Sequence, residues 1–288
     1  MIASSELILN TDGSVYHVNL LPEDLADTII LVGDQNRVEK ITKHFDSIEV
    51  TKQKREFKTQ TGYLNKKRIS VISTGIGPDN IDIVINELDA LVNIDLNTRT
   101  IKNNLKSLNF IRIGTSGSLQ KDIPVDSKVM SIYGLGLDNM LRSYILDNIT
   151  NVELENAFIQ QTNWDLRKGR PYVIKGSEKL EKLLESKEIF KGFTGTAGGF
   201  YGPQGRVLRL AIQDNHLNNK MDSFNYKGIR MTNLEMETGA IYGLGKLLGH
   251  DCLSLNAIIA NRANGTFSKD PYKAVDNLIE YTLEKLTS

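Results

Sequence analysis

The chain has 288 residues, 40% of them hydrophobic, and its 35 basic and 35 acidic side chains cancel to a formal net charge of zero. A substantial core can be buried, as one large α/β domain or two small ones, and the charge balance advertises neither a nucleic-acid surface nor an acidic partner. No run approaches the roughly 20 apolar residues of a membrane helix, and Met1-Ile-Ala-Ser-Ser-Glu6 lacks a basic segment followed by an apolar block, so a soluble cytoplasmic enzyme is expected.

Short apolar runs alternate with helical patterns, which argues for an α/β layered fold. Thr28–Val32 reads as a strand ending in Gly33-Asp34, followed by a helix from about Asn36 to His44. Tyr63-Leu64 and Arg68–Ser73 read as a strand pair around a turn at Asn65-Lys66-Lys67. Pro78 opens a helix whose apolar stripe is Ile81, Val84, Ile85, Leu88 and Leu91/Val92. Asn109–Ile113 is a short buried strand that runs into a hydroxyl- and glycine-rich turn, and Ser127–Tyr133 is the next strand. The polar stretch from about Asp138 to Gly169 gives no assignment.

Ser177 with Leu180, Leu183 and Leu184 predicts a capped amphipathic helix. Gly228–Leu234 is a strand, and Ala240, Ile241, Leu244, Leu247 and Leu248 stripe the helix after it. Leu253–Ala260 is a late strand, and Val275, Leu278, Ile279, Leu283 and Leu286 stripe a C-terminal helix. Cys252, the only cysteine, reads as inert core and excludes an internal disulfide and a cysteine-based metal site. The four histidines show no ligand spacing, so no metal site is expected. With no internal repeat or linker, residues 1–288 are expected to form one domain.

The most informative stretch is Phe110-Ile-Arg-Ile-Gly-Thr-Ser-Gly117. A lone guanidinium, Arg112, inside an apolar strand is costly unless an anion or a carbonyl-rich site receives it. Thr115 and Ser116 follow between Gly114 and Gly117, where backbone N–H groups of a turn would form an anion nest. Together they predict an oxyanion pocket, with an arginine pairing a nearby carboxylate as the plainer alternative. Gly33-Asp-Gln-Asn-Arg37 offers a second anion site at a helix N-terminus, or an ordinary turn with a surface arginine.

Asn233-Leu-Glu-Met-Glu237 lies where a strand gives way to a helix. Glu235 and Glu237 can accept hydrogen bonds from vicinal sugar hydroxyls while Met236 packs on the ring, or the acids can simply serve the helix dipole. Phe200-Tyr-Gly-Pro-Gln-Gly-Arg206 sets an aromatic face beside Gln204 and Arg206, suited to a planar heterocycle, or is a Gly/Pro loop with an incidental amide.

In this order, the segments resemble the nucleoside phosphorylase superfamily of the single-domain type, most closely its uridine phosphorylases. The resemblance runs from Tyr16-His-Val-Asn-Leu20 to the C-terminal helix. It implies an α/β three-layer sandwich with a central mixed β-sheet flanked by helices. It also implies cleavage of uridine or a related pyrimidine nucleoside by phosphate, a pentosyl transfer of the kind used in pyrimidine salvage.

By that resemblance, phosphate would be held by Gly33, Arg37, Arg112 and Thr115, with Arg55 reaching into a neighbouring subunit's site. Ribose would be held by Glu235, Met236 and Glu237 and by His17 from across a dimer interface. The base would be read by Gly117, Phe200, Gln204, Arg206 and Arg262. The catalytic group would be Arg206, Gln204 and Glu237. At least a homodimer is implied, with a hexamer as the larger alternative. Phosphate is a co-substrate and no cofactor is required, although some bacterial relatives hold a potassium ion where Glu56 stands.

Two loops depart from the family pattern, Gly75-Ile-Gly-Pro-Asp-Asn80 and Tyr201-Gly-Pro-Gln204, and the stretch from Ile94 to Ser107 is extended and polar. The competing readings are a nucleosidase, a purine nucleoside phosphorylase and a non-catalytic nucleoside-binding homologue.

Overall fold

The structure, a computed structural model, describes all residues 1–288. Strands β1 (Thr28–Val32), β2 (Ser47–Lys54), β3 (Phe57–Leu64) and β4 (Lys67–Ser73) accompany helix α1 (Gln35–Thr42). Helix α2 (Pro78–Asn93) leads into a small hairpin of β5 (Ile94–Asp95) and β6 (Thr100–Ile101). Then come β7 (Asn109–Ser118), β8 (Lys128–Gly136), α3 (Val152–Thr162), β9 (Tyr172–Lys175), α4 (Glu178–Leu184) and β10 (Ile189–Thr196). The remainder is α5 (Leu217–Ser223), β11 (Asn225–Tyr226), β12 (Ile229–Glu235), α6 (Thr238–Leu247), β13 (Asp251–Asn261), β14 (Thr266–Phe267) and α7 (Pro271–Thr287).

Twelve strands form one mixed sheet: ten follow the order β11-β12-β10-β8-β13-β7-β1-β4-β3-β2, while β9 pairs with β8 and β14 with β13. The central strands are apolar on both faces because both are covered. In β1, Ile29 and Leu31 face one core with α2 and α6, while Ile30 and Val32 face the other with α1, α4 and α7. A third cluster packs α3 and α5 on β8, β10 and β12, through Phe158, Trp164, Phe193, Phe224 and Met231. The three-layer α/β expectation holds.

One feature was not foreseen. The last residues of β7 also pair with β12, Gly117 with Leu234 and Ser118 with Asn233. That contact closes β7, β13, β8, β10 and β12 into a five-stranded ring, leaving β1, β4, β3 and β2 as an open wing. The pairing is antiparallel and confined to strand ends, so the carboxyl ends of β7 and β12 meet. Strand ends of this kind are where open α/β sheets gather ligands.

The expected turn at Gly114–Gly117 is a correction: these residues continue β7, and neither glycine has a positive φ. The backbone nest therefore does not form, because β13 takes up this segment from Gly114 to Ser118. Strands β2, β9 and β10 and helix α3 were not read from the sequence. β2 is a mostly exposed edge strand with polar residues on both faces, and β10 is interrupted by Lys191, Gly192 and Gly195.

Candidate active site

Four charged side chains converge at the strand ends. Asp34 caps α1 by accepting from the Asn36 N–H at 2.9 Å, which places Arg37 in the first helical turn. Its Nη1 donates to the Ile113 carbonyl at 3.2 Å, on β7. Burial lowers the Arg37 pKa from the usual arginine value, and the neighbouring Arg112 pushes it the same way. Two guanidinium groups thus share one corner, a costly arrangement unless anions attend it.

Arg112 is buried, and its Nη2 donates to Glu237 Oε2 and lies 3.6 Å from Glu235 Oε2. Burial works against its charge, but Glu237 and Glu235 outweigh that and hold its pKa above the ordinary value. Gly114 makes this possible. On a strand, residues two apart share a face, and the guanidinium folds forward over residue 114. A Cβ there would stand 1.5 Å from Arg112 Nη1 and 2.6 Å from Cζ. Thr115, on the other face, is half-buried.

The two glutamates have different surroundings. Glu235 accepts from the Thr196 hydroxyl at 2.6 Å, the Glu237 N–H at 2.9 Å and the Thr238 N–H at 2.9 and 3.0 Å. Its oxygens are committed to the start of α6, so in this state it caps a helix and does not present a free acceptor to a sugar. Burial raises its pKa, against the pull of Arg112. Glu237 accepts from the Gly77 N–H at 2.8 Å and from Arg112. Gly77 can present that N–H because its φ of 99° is open to glycine. Met236 is half-buried between the two acids.

A second cluster lies near the end of β7. Gln204 is buried; its Oε1 accepts from Arg206 Nη1 at 2.7 Å and Arg262 Nη2 at 3.4 Å, and its carbonyl accepts from Arg262 Nη1 at 2.6 Å. Gly117 faces Arg262, whose Nε lies 3.6 Å from where a Cβ would stand. Burial, with repulsion from Arg206, brings the Arg262 pKa down to about 10. Arg206 stacks on the half-exposed Phe200 ring, 3.7 Å from guanidinium carbon to ring centroid. The aromatic face expected for the base is covered by the arginine, so a ligand ring would have to share or take that place.

Three expected residues form no hydrogen bond or ion pair with these clusters within one chain. His17 Nδ1 lies 2.6 Å from Glu87 Oε1. Glu87 is ten residues beyond Gly77 on α2, hence ~15 Å along the helix axis. Arg55 is exposed at the β2–β3 hairpin tip with a φ of 55°, and its carbonyl accepts from Gln35 Nε2 at 2.7 Å. Glu56 lies beside the next loop, its Cγ 3.1 Å from where a Cβ on Gly75 would stand.

The profile of the phosphorylase superfamily matches residues 27–286. The chain belongs to the phosphorylase superfamily. A uridine phosphorylase of Thermococcus kodakarensis is 28% identical over 269 residues, covering 92% of this chain and 84% of that one. A DeoD-type purine nucleoside phosphorylase of Thermoanaerobacter sp. strain X514 is 26% identical over 272 residues, 93% and 97% of the two chains. The crystal structure of a Trypanosoma brucei nucleoside phosphorylase, described as showing uridine phosphorylase activity, superposes with a TM-score of 0.88 at 28% identity, covering 97% of this chain and 99% of that one.

For a member of this superfamily, an enzyme family of pentosyl transfer, the geometry adds residues that sequence reasoning missed. Gly77 holds Glu237, Thr196 holds Glu235, and Asn218 Oδ1 accepts from Arg262 Nη1 at 2.9 Å. Asn256 Oδ1 accepts from Arg112 Nη1 at 3.3 Å. Asn256 carried a readable signal, since an amide inside the apolar run from Leu253 to Ala260 is as anomalous as Arg112 in its own strand. Asn261 is structural here, donating to the Gln120 and Ile123 carbonyls at 2.8 Å each.

Proposed function

We propose that this phosphorylase-superfamily enzyme cleaves uridine, or a closely related pyrimidine nucleoside, with inorganic phosphate, giving free base and ribose 1-phosphate. The carrying observation is the meeting of Arg37, Arg112 and Glu237 near one end of a strand segment whose other end, at Gly117, adjoins Gln204, Arg206 and Arg262. From Gly114 to Gly117 the strand advances ~10 Å.

Phosphate entering beside Arg37 competes with Glu237 for the Arg112 guanidinium, whose planar fork suits an oxyanion. Glu237, so released, can accept from the ribose hydroxyls. A phosphate oxygen then attacks the anomeric carbon as the bond to the base nitrogen breaks, its electron pair leaving with the base. Charge growing on the base oxygens meets donors on Arg206, Arg262 and the Gln204 amide, and one such donor is worth on the order of 10²–10³ in rate.

Arg37, Arg112, Glu235 and Glu237 come close to cancelling one another. An incoming anion therefore needs further positive charge, and Arg55 of a second copy supplies it in the proposed dimer, with His17 closing the ribose end. The reaction calls for no organic cofactor. Glu56, beside the Gly75–Gly77 loop, suits a monovalent cation such as potassium held with backbone carbonyls, where it would stiffen the interface.

The DeoD-type relative makes a purine substrate the second reading. The deciding experiment incubates the protein with uridine, thymidine, inosine and adenosine, with and without phosphate, and follows free base. Uracil release that requires phosphate is expected. Release indifferent to phosphate would mean hydrolysis, and a preference for inosine or adenosine would move the assignment to purines.

A further inference from the structure

We infer that Asn256 is a positioning residue for the phosphate site: it fixes one end of the Arg112 guanidinium while the other end exchanges Glu237 for phosphate. The inference rests on the phosphorolytic reading above and extends it to a residue outside the ligand shell.

Arg112 lies on β7 and Asn256 on β13, where Asn256 pairs directly with Gly114. The amide and the guanidinium thus meet over the one residue that has no side chain. Asn256 is fully buried, and its orientation is set from behind: Nδ2 donates to the Ser254 hydroxyl at 3.3 Å and to the Ser131 hydroxyl at 3.5 Å. With Nδ2 turned to those hydroxyls, Oδ1 must face Arg112 Nη1, at 3.3 Å. Ser254 is held in turn by the Thr238 hydroxyl at 2.8 Å, and Ser131 by Thr194 at 2.6 Å. The support is a polar network inside the five-stranded ring.

The division of labour follows from charge. Glu237 and Glu235 attract Nη2 strongly and would pull the guanidinium wholly onto themselves. A neutral amide oxygen on Nη1 resists that without adding negative charge that phosphate would have to overcome. When phosphate arrives, the guanidinium can turn about its Nη1 anchor instead of being repositioned from a disordered state. A carboxylate at position 256 would orient the arginine equally well but would be a third competitor for it.

The test uses the full-length enzyme with Asn256→Leu, which removes the acceptor, and the isosteric Asn256→Asp, which keeps an acceptor but charges it. Asn256→Leu is expected to raise the KM for phosphate about tenfold or more, the worth of one buried hydrogen bond to a charged group, and Asn256→Asp to raise it comparably by competing with phosphate for the guanidinium. The KM for nucleoside should stay within about twofold in a site where only the phosphate arginine is disturbed. Placed in an Arg112→Ala background, Asn256→Asp should change the phosphate KM no further, the non-additivity expected of residues acting through one another.

Effects that add in the double variant, or a phosphate KM unmoved in Asn256→Asp, would overturn the inference. Should Asn256→Leu not fold, Asn256→Asp alone carries the test. A parent enzyme that releases base without phosphate would instead defeat the reading beneath it, so the two failures are separable.

Discussion

Gly114→Ala perturbs the site only by replacing one α-hydrogen with a methyl group. The backbone at Gly114 is not in a left-handed conformation, so alanine fits the strand, and the whole effect falls on what the methyl touches. It would lie 1.5 Å from Arg112 Nη1 and 2.9 Å from Asn256 Oδ1, so the guanidinium must leave. Breaking a buried ion pair by removing a partner costs about 3–5 kcal/mol. Here the arginine is displaced and not deleted, and alanine recovers about 0.4–1 kcal/mol through the unfolded chain. A net loss of ~2–4 kcal/mol remains from these two ranges. At roughly 2 °C per kcal/mol for a chain of this size, the Tm falls by about 4–8 °C. In the proposed reaction kcat/KM for phosphate drops by on the order of 10²–10³. Differential scanning fluorimetry and initial rates against phosphate measure both. Gly117→Ala, whose methyl meets nothing closer than 3.6 Å, is the control for the Tm alone, because Gly117 itself borders the expected base site. If Gly114→Ala matched the parent in Tm and in phosphate dependence, the forward-folded arginine would be wrong.

Gln204→Ala should lower kcat/KM for the pyrimidine nucleoside by about 10²-fold while leaving the phosphate KM unchanged, and it should destabilise the fold by ~1–3 kcal/mol because Arg206 and Arg262 lose their shared acceptor. Equal losses for every nucleoside would argue against its part in reading the base. Arg55→Ala should leave each subunit folded, because the residue is exposed within one chain, yet abolish most activity. Mixing inactive Arg55→Ala and Arg112→Ala subunits should recover part of it if Arg55 acts across the interface, whereas mixtures that stay dead after subunit exchange would rule that out. Cys252 should resist thiol reagents at pH 8 until the protein unfolds, since burial holds its thiol well above the usual range; rapid labelling of the native protein would show that its strand opens.

The layered fold was legible because its helices carry one apolar stripe each and its central strands are apolar throughout. β2 was not, because Ile48 and Val50 give only a brief alternation before Lys52 and Lys54 occupy the same face. Glu235 and Glu237 were legible as a pair, but not their separate work: which carboxylate caps α6 and which meets Arg112 depends on Thr196 and Gly77, distant in sequence. Of the two readings of Arg112, anion holder or carboxylate partner, the structure shows the second. It pairs with Glu237 in a corner that also holds Arg37. The ring closure through Gly117 and Leu234 had no local signature, since it rests on two residue pairs at strand ends.

The ion pair between Arg112 and Glu237 has a thermodynamic corollary. In the proposed reaction each partner is claimed by a different ligand, so whichever ligand binds first would spare the second the work of breaking the pair. By linkage, the factor by which phosphate tightens nucleoside must equal the factor by which nucleoside tightens phosphate. Calorimetric titrations run in both orders, with an unreactive nucleoside analogue, would yield one coupling constant, and the enzyme would behave as a detector of two solutes present together.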